Sequence, residues 1–325
     1  MALAEQSKPP RTLSYGLFQE PWWLDAVAPN SWREITVNPG ELISARWPIV
    51  ESRSAGLRFI IPPPLTPWLG PALATGDAVK VSRRLELEKE LIEELLGKLP
   101  KYDKLAVHCH ASFTNVLPFM WAGFQVTPRC TYVLDDLSDE TRLWNGLREN
   151  IRREIRKARK QVEIVATEDI VESQRVIAKT FARIGVQSPH KLEIMQRIDA
   201  ACSKRDCREI LMARDEKGRV HSSLYLVRDA HTTYYLAGGA DPQLRTSGAH
   251  SLMMWEAIRR AGVHTRRFDF VGSMLPNVER FFRAFGARQQ SFYRLVSMGR
   301  LMKILDAGYE LALSVTGRDH TRRLR

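Results

Sequence analysis

The stretch R-T-S-G-A-H-S-L-M-M-W-E-A-I-R-R-A-G, residues 245–262, has the pattern of a small-residue turn that opens directly into a helix. The run R-F-D-F-V, residues 267–271, follows a few positions later and is typical of a strand. Three further runs of strand character precede the turn, at residues 210–214, 222–227 and 232–237. This order of antiparallel strands, helix and final strand predicts an α+β unit in which the start of the helix lies at the end of the sheet.

Small residues at the start of this helix leave its first N–H groups open to an anion. Those groups have no partner within a helix and lie at the positive end of its dipole. Ser247, Gly248 and Ala249 carry little side chain, and Arg245 adds a positive charge beside them. The turn is therefore predicted to bind a phosphate-type group.

Composition indicates a globular, basic chain. Its 325 residues carry a formal net charge of +12, which fits anionic partners such as nucleotides, tRNA or anionic lipid, or simply a solvated basic surface. The first ten residues hold no apolar signal core, and no apolar run reaches membrane-spanning length. The four cysteines form no C-x-x-C pair. We therefore expect a cytoplasmic protein with reduced thiols, no metal site and no stable membrane insertion.

The first half of the chain follows the same order of elements in outline. Strands are predicted between residues 42 and 61, then a helix capped by Ser82, then a strand at residues 104–108. A proline-rich loop at residues 61–71 carries Trp68, and prolines in such number exclude regular structure. The loop is either the wall of a pocket or a rigid connector. The halves show no sequence repeat, so the similarity is an expectation about shape alone.

A strongly basic helix is predicted in the middle of the chain. It begins at an N-cap at Ser138 and continues to residue 160, with an apolar stripe at helical spacing. Residues 148–160 contain seven Arg or Lys and two Glu. Such a surface binds tRNA, a nucleotide diphosphate or an anionic membrane, or is simply a solvated face.

Two sets of residues resemble a known superfamily. Q-L-R-T-S-G-A, residues 243–249, resembles the R/Q-x-x-G-x-G/A loop with which GCN5-related N-acetyltransferases (GNATs) bind the pyrophosphate of acyl-coenzyme A, although His250 occupies the last small-residue position. Further segments are similar to the FemAB-like and BioF2-like acyltransferases of the Acetyltransf_6 group. These segments are P-P-L-T-P-W-L-G-P at 63–71, L-P-F-M-W-A-G-F at 117–124, N-I-R-R-E-I-R-K-A-R-K at 150–160, F-D-F-V-G-S-M at 268–274 and N-V-E-R-F-F-R-A-F-G-A at 277–287.

The resemblance implies an α+β fold of two tandem GNAT-like units, each a mixed, mostly antiparallel sheet flanked by helices. Residues 1–137 would form a degenerate unit on the acceptor side. Residues 138–300 would form the unit with the phosphate-type turn, and residues 301–325 a C-terminal helix and basic tail.

The same resemblance implies acyl transfer from acyl-CoA or a related thioester to an amine or hydroxyl group. BioF2-like proteins are associated with polysaccharide and cell-envelope precursors as acceptors. FemAB proteins proper move an amino acid from aminoacyl-tRNA to a peptidoglycan precursor, and they tend to show F-K where this chain has Phe281-Phe282. That difference argues against the tRNA-dependent branch. A non-catalytic binding module on the same fold is the third alternative.

Donor binding is expected where two strands separate. In the superfamily the pantetheine arm lies between splayed strands, which here would be residues 232–237 and 267–271. Backbone N–H groups near the first strand's end are expected to face the thioester carbonyl. The expected donor-binding residues are Ala237, Gly238, Gly239, Arg245, Ser247, Gly248, Ala249 and His250.

Asp269 is the first candidate for the general base because strand alternation places it opposite two phenylalanines. A structural carboxylate is the alternative role. Glu279 and His250 are rival bases, and Tyr293 is the candidate acid that protonates a leaving thiol. No Ser-His-Asp or Cys-His arrangement is evident, so we expect direct transfer without a covalent intermediate. The acceptor is expected to contact Trp68, His110 and Asn277.

Overall fold

The computed structural model describes residues 13–38, 44–75, 80–182, 191–272 and 274–315. Strands and helices are mixed along the chain. The strands are β1 (Trp32–Val37), β2 (Ala45–Ser54), β3 (Leu57–Ile60), β4 (Ala72–Leu73), β5 (Lys104–His108), β6 (Gln125–Leu134), β7 (Glu163–Thr167), β8 (Arg208–Arg214), β9 (Val220–Arg228), β10 (Thr232–Ala240), β11 (Arg267–Asp269) and β12 (Arg288–Met298). The α-helices are α1 (Pro21–Val27), α2 (Val81–Gly97), α3 (Leu117–Trp121), α4 (Glu140–Gly146), α5 (Glu149–Ala158), α6 (Ile170–Ala182), α7 (Leu192–Ser203), α8 (Ala249–His264), α9 (Pro276–Arg283) and α10 (Arg300–Val315).

One sheet runs through the molecule in the order β1-β2-β3-β5-β12-β6-β11-β10-β9-β8-β7, and β4 pairs with β2. The described strand pairs are antiparallel except for β3 with β5 and β10 with β11. This arrangement, flanked by helices, confirms the predicted α+β fold with a mixed, mostly antiparallel sheet. We refer to β1–β6 with α1–α3 as the first unit, and to β7–β11 with α4–α9 as the second unit.

The two units share a structural motif. In each, two parallel neighbouring strands are joined through a helix: α2 lies between β3 and β5 in the chain, and α8 lies between β10 and β11. The similarity in order predicted for the two halves is therefore present in the topology. β6 pairs with β11, and β12 inserts between β5 and β6, so the sheet continues from one unit into the other.

Apolar side chains cover both faces of the second unit. On one face, α5 and α8 pack against the sheet through a cluster that includes Ile155, Trp255 and Phe268. On the other face, α1, α6 and α7 pack through a cluster that includes Tyr225 and Tyr234. Burial of this apolar area on both faces is the main force that holds the layers together. A third cluster fills the first unit, with Trp47, Ile92, Leu105 and Phe119 among its members.

The predicted helix from Ser138 to residue 160 is two helices. Asp139 caps α4, because its side chain accepts a hydrogen bond from the Arg142 amide at 2.9 Å. The chain leaves helical geometry at Leu147, and the Arg148 amide donates to the carbonyl of Ala284 at 2.9 Å. The long-range bond to the end of α9 thus takes the place of a helical bond and redirects α5. Periodicity within the segment carries no information about such a partner.

α2 also begins earlier than predicted. Its N-cap is Lys80 rather than Ser82, and Ser82 is a residue of the first helical turn. Lys80 carries no side-chain cap bond to the helix. Serine is common both at the cap and within the first turn, so the sequence does not fix the boundary to the residue.

The turn after β11 depends on a glycine. Gly272 has a φ of 75°, and a Cβ atom on it would lie 2.5 Å from the carbonyl oxygen of Cys130. Such a contact is far inside van der Waals distance, and the neighbour is backbone that cannot move away easily. The chain can therefore pass from β11 towards α9 along β6 only with glycine at this position.

We predict that Gly272→Ala lowers the free energy of unfolding by about 3 kcal/mol or more, because strain at positive φ and a backbone clash add. Gly56→Ala is the matched control, since Gly56 has a φ of 78° and open space around its missing Cβ. That variant should lose only about 1 kcal/mol. Chemical denaturation of both variants makes the measurement, and equal losses would contradict the role given to the clash.

Candidate active site

A cavity of about 1020 Å³ lies between the two units. The first unit contributes Trp68, His110 and the segment before α1, including Tyr15 and Gly16. The second unit contributes the β9–β10 turn and the paired ends of β10 and β11. The lining side chains on β10 and β11 alternate along each strand, so they share one face of the sheet. The cavity is a cleft between two packed bodies, which is a common position for a ligand site.

Asp269, the predicted base, lines this cavity at the end of β11 and is 4% exposed. Its Oδ1 accepts hydrogen bonds from the Thr131 hydroxyl at 2.5 Å and from the Val271 amide at 2.8 Å. Burial disfavours the charged carboxylate and raises the pKa of Asp269 to about 6, although these two hydrogen bonds lower it in part. A carboxyl group with this pKa can accept a proton near neutral pH.

Tyr234 stands beside Asp269, because these two residues are partners in the parallel register of β10 and β11. Its hydroxyl donates to Oδ2 of Asp229 at 2.8 Å. Oδ1 of Asp229 in turn accepts from the amides of His231 and Thr232, each at 2.9 Å. Burial raises the pKa of Tyr234 well above its ordinary value, so the phenol stays protonated. Sequence reasoning missed this pair, although an aspartate just before a strand is a turn signal.

His110 and Trp68, two of the predicted acceptor contacts, form the opposite wall. The His110 ring stacks on Tyr15 with centroids 5.6 Å apart and meets Trp68 edge-on at 5.9 Å. Its Nδ1 accepts from the Ser112 amide at 3.2 Å, which leaves Nε2 as the protonated nitrogen. Burial lowers the pKa of His110 to about 4, so the imidazole is neutral and presents one N–H donor.

The other predicted side chains of the reaction lie outside the cavity lining. Asn277 is exposed on α9. Glu279 accepts from the Tyr132 hydroxyl at 2.7 Å and pairs with Arg283 at 2.9 Å. Tyr293 is half-buried in β12, and its carbonyl accepts from the Cys109 amide at 2.8 Å. Of the predicted acid and base residues, the structure thus brings Asp269 to the cavity that also contains Trp68 and His110.

Cationic side chains surround the cavity and are engaged within the protein. Arg228 pairs with Asp206 at 3.0 Å, and Arg205 lies 4.4 Å from the ring centroid of Trp22. Arg267 hydrogen-bonds to Gln290. The lining therefore combines aromatic rings, fixed cations and one carboxyl group with a raised pKa.

The phosphate-type turn packs under α5. The first amides bond within the chain: Ser247 N to Leu244 O at 3.2 Å, Gly248 N to Arg245 O at 3.4 Å, and Ala249 N to the Ser247 hydroxyl at 3.3 Å. A Cβ on Gly248 would lie 2.7 Å from the carbonyl oxygen of Glu154 in α5. Ser247 and Ala249 are buried. In this structure the amides that were predicted to face a diphosphate thus point into the protein.

The outer side of the same turn is open. Arg245 and Thr246 are exposed, and Nζ of Lys157 in α5 donates to the Thr246 carbonyl at 2.7 Å. These groups form a small basic surface at the junction of the turn and α5. The exposed side of α5 extends it with further arginines and lysines.

Ser247 takes part in a hydrogen-bonded chain that sequence reasoning did not anticipate. Its hydroxyl bonds to Nδ1 of His221 at 2.9 Å, and Nε2 of His221 bonds to Oδ2 of Asp215 at 3.1 Å. Asp215 also accepts from the Arg219 guanidinium at 2.7 Å. Ser247 is buried outside the lining of the cavity. The chain therefore fixes the turn to the β8–β9 hairpin, and the long sequence separation of its members hid it from motif analysis.

The strands β10 and β11 separate as the predicted donor site requires. They pair only from Thr232 with Arg267 to Tyr234 with Asp269, after which β10 continues along β9 alone. Since N–H directions alternate along a strand, alternate amides of Ala237, Gly238 and Gly239 face the gap. Four aromatic rings contact one another beside this part of β10, namely Tyr235, His250, Phe281 and Phe282.

His250 belongs to this aromatic packing. Its Nδ1 bonds to the Ser222 hydroxyl at 2.8 Å, and its ring lies 5.2 Å from that of Phe281. Burial lowers the pKa of His250 to about 4, so the ring is neutral. Within the described ranges no group of three or more His, Cys, Asp or Glu side chains is placed to hold a metal ion.

Comparison with known proteins identifies the fold. Residues 145–283 match the family described as "Acetyltransferase (GNAT) domain", Acetyltransf_6. No curated protein matches the chain in sequence. The crystal structure of FemX superposes with a TM-score of 0.64 at 15% identity, over 86% of this chain and 92% of FemX.

Two more solved structures share the fold. A conserved protein of unknown function from Bacteroides thetaiotaomicron VPI-5482 has a TM-score of 0.55 at 10% identity, over 86% of this chain and 90% of its own. The C-terminal domain (DUF2156) of a putative lysylphosphatidylglycerol synthetase from Agrobacterium fabrum has a TM-score of 0.51 at 14% identity, over 82% of this chain and 85% of that domain's chain. The resemblance inferred from the sequence is thereby confirmed: residues 145–283 match the Acetyltransf_6 GNAT domain, and the chain shares the fold of FemX.

Proposed function

We propose that the protein transfers an acyl group from a thioester donor, in the first instance acyl-CoA, to an amine or hydroxyl group of an acceptor in the cavity. The observation that supports this most directly is the position of Asp269. It is a buried carboxyl group with a pKa of about 6 in a cavity of about 1020 Å³ between two halves of a transferase fold. Surface acids and purely structural ion pairs seldom combine these properties.

In the proposed reaction Asp269 accepts the proton of the acceptor as its nitrogen or oxygen attacks the thioester carbonyl carbon. A new C–N or C–O bond forms, and negative charge collects on the carbonyl oxygen. Amides of Ala237, Gly238 or Gly239 that face the strand gap stabilise that charge. The C–S bond then breaks with its electron pair on sulfur, and the leaving thiolate takes up the proton that Asp269 had accepted. No residue is acylated in this sequence, so both substrates must be bound together.

The acceptor proposed here is a glycan or peptide precursor of the cell envelope. Tyr15, Trp68 and His110 supply flat rings, which pack against the C–H faces of a sugar or an apolar side chain. The N–H of His110 and the arginines of the lining (Arg205, Arg228 and Arg267) supply polar contacts that orient the acceptor. A cavity that combines aromatic rings with charged and hydrogen-bonding side chains suits a polar organic group that must be held in one orientation.

The donor anion is proposed to bind at the outer side of the turn. Arg245 and Lys157 are exposed there, while the first amides of α8 are directed inward. Aminoacyl-tRNA is the alternative donor, because the exposed arginines of α5 extend the basic surface far enough to follow a nucleic-acid backbone. Phe282, at the place of the lysine of FemAB proteins, is buried against Phe270 and Tyr235, which favours the thioester.

We predict that kcat/KM for acyl transfer rises with pH through about 6, because Asp269 must lose its proton to act as a base. Asp269→Asn should remove this rise of kcat/KM with pH, the acidic limb of the pH profile, and lower kcat/KM by about 10²–10⁴-fold. Asp199→Asn is the matched control: Asp199 is a partly buried acid whose pKa burial also raises, but it lies outside the cavity lining. Retention of the limb in Asp269→Asn would contradict the proposal, and a protein inactive with every donor would support the binding-module alternative.

We also predict that Asp269→Asn becomes more stabilising as the pH rises. The pKa of Asp269 in the folded protein is above its ordinary value, so the charged form is disfavoured by folding; the cost is absent below about pH 4 and complete above about pH 7. Asparagine stays neutral throughout. The free energy of unfolding of the variant relative to wild type should therefore increase between pH 4 and pH 8, by at most about 3 kcal/mol. If the difference in free energy of unfolding between variant and wild type is independent of pH, folding does not raise the pKa of Asp269, and the prediction is wrong.

For the donor, we predict that CoA at ~100 times its Kd raises Tm by about 5 °C. The double variant Lys157→Glu, Arg245→Glu should lose most of this shift, since it reverses two exposed charges without disturbing the core. Arg53→Glu, on an exposed position of β2, is the control. Substitution of Gly248 is unsuitable because any side chain there meets α5. Absence of a CoA shift together with salt-sensitive binding of aminoacyl-tRNA would favour the alternative donor.

A further inference from the structure

Exposed apolar side chains are concentrated on three helices. Among the described residues, twelve large apolar side chains are exposed, and eight of them lie on α2, α3 and α10. The rest of the surface carries such residues singly, as is ordinary for a globular protein. The eight are Val81, Leu85, Leu117, Met120, Trp121, Leu301, Ile304 and Leu305.

The exposed residues of α2 and α3 form one surface. Nδ2 of Asn115, just before α3, donates to the carbonyl of Leu85 at 3.3 Å. Nζ of Lys89 in α2 lies 5.9 Å from the ring centroid of Trp121. Phe119 anchors α3 in the core of the first unit, so Leu117, Met120 and Trp121 project from a fixed helix. Trp121 is 66% exposed, which is unusual for the largest apolar side chain.

α10 displays an apolar face at the same end of the sheet. Leu301, Ile304 and Leu305 follow the i, i+3, i+4 spacing of one helical face, and Ile304 is 69% exposed. The helix is tied to the body at its start, where Gly299 N donates to Asp103 O at 2.9 Å.

Strand register places α3 and α10 at the same end of two neighbouring strands. Val296 of β12 is the partner of Gln125 of β6. α3 ends four residues before Gln125, and α10 begins four residues after Val296. Both helices therefore lie near the same end of the neighbouring strands β6 and β12.

We propose that α3 and α10 form a docking surface for an anionic lipid membrane. Leucine, isoleucine and tryptophan side chains on a helical surface insert into the boundary between headgroups and acyl chains, where the tryptophan ring is particularly favourable. Arg300 and Lys303 flank the apolar face of α10 and are exposed. Those cations complement lipid phosphates.

The charge pattern favours lipid over a second copy of the chain. A symmetric dimer through this face would hold Arg300 and Lys303 of both copies in one interface, while the neighbouring Asp306 already pairs with Lys104 at 3.9 Å. An excess of like charge at an interface opposes association. An anionic bilayer neutralises the same groups. Among the described helices none is both long and apolar enough to cross a bilayer. The mode of binding proposed is thus attachment at the interface.

The test is flotation of the full chain with vesicles of phosphatidylcholine alone and of phosphatidylcholine with about one-third phosphatidylglycerol. We expect binding to the anionic vesicles, weakened by high salt, and at least about tenfold weaker binding to the neutral ones. Ile304→Ser with Leu305→Ser should weaken binding about tenfold, and Met120→Ser with Trp121→Ser should do the same through the other helix.

Val171→Ser with Val263→Ser is the matched control, because both valines are exposed but lie away from these helices. It should leave vesicle binding unchanged, and Tm should stay the same in all three double variants because the replaced side chains are exposed. The proposal is overturned if the wild-type chain does not float with anionic vesicles, or if the control weakens binding as much as the two test variants. It is also overturned if α10 substitutions alter only the oligomeric state in light scattering, since a second copy would then cover this face.

Discussion

The parallel pairing of β10 with β11 is the constraint on which the rest of the site depends. It extends over three residue pairs and ends at Tyr234 and Asp269. A longer pairing would close the gap beyond these residues, and a shorter one would separate Asp269 from Tyr234. The brief contact thus does two things: it buries a carboxyl group against the sheet, and it leaves the following stretch of β10 without a partner on one side.

The burial of Asp269 shows how fold and chemistry are linked. The first unit covers the end of β11, and removal of water is the largest cause of the raised pKa of this carboxyl group. Hydrogen bonds to one oxygen limit the shift and hold the side chain in place. A buried carboxyl group with a raised pKa, at the wall of a cavity, is the pattern expected of a catalytic base. The same first unit brings the aromatic wall, so the proposed acceptor contacts and the proposed base would have one structural origin.

The turn before α8 shows the limits of motif analysis. The order of strands, turn and helix, and the face on which Asp269 lies, follow from local patterns of 3.6 and 2 residues and could be predicted. The packing of α5 over Gly248 could not, because the contact joins residues about a hundred positions apart and depends on where Arg148 finds its hydrogen-bond partner. For the same reason the pairs Tyr234–Asp229 and Ser247–His221 escaped sequence reasoning. The contacts between the rings of His250, Tyr235 and Phe281 could not be predicted either, because these residues are far apart in the sequence.

The position of β12 has a consequence for how the chain is made. This strand lies near the end of the sequence, yet it occupies the middle of the sheet, between β5 and β6. Until it leaves the ribosome, both of those strands have an open edge, and the first half of the molecule cannot complete its hydrogen bonding. Final closure of the sheet must therefore wait until residues 288–298 have been made, and these long-range contacts will slow folding and leave early intermediates prone to association.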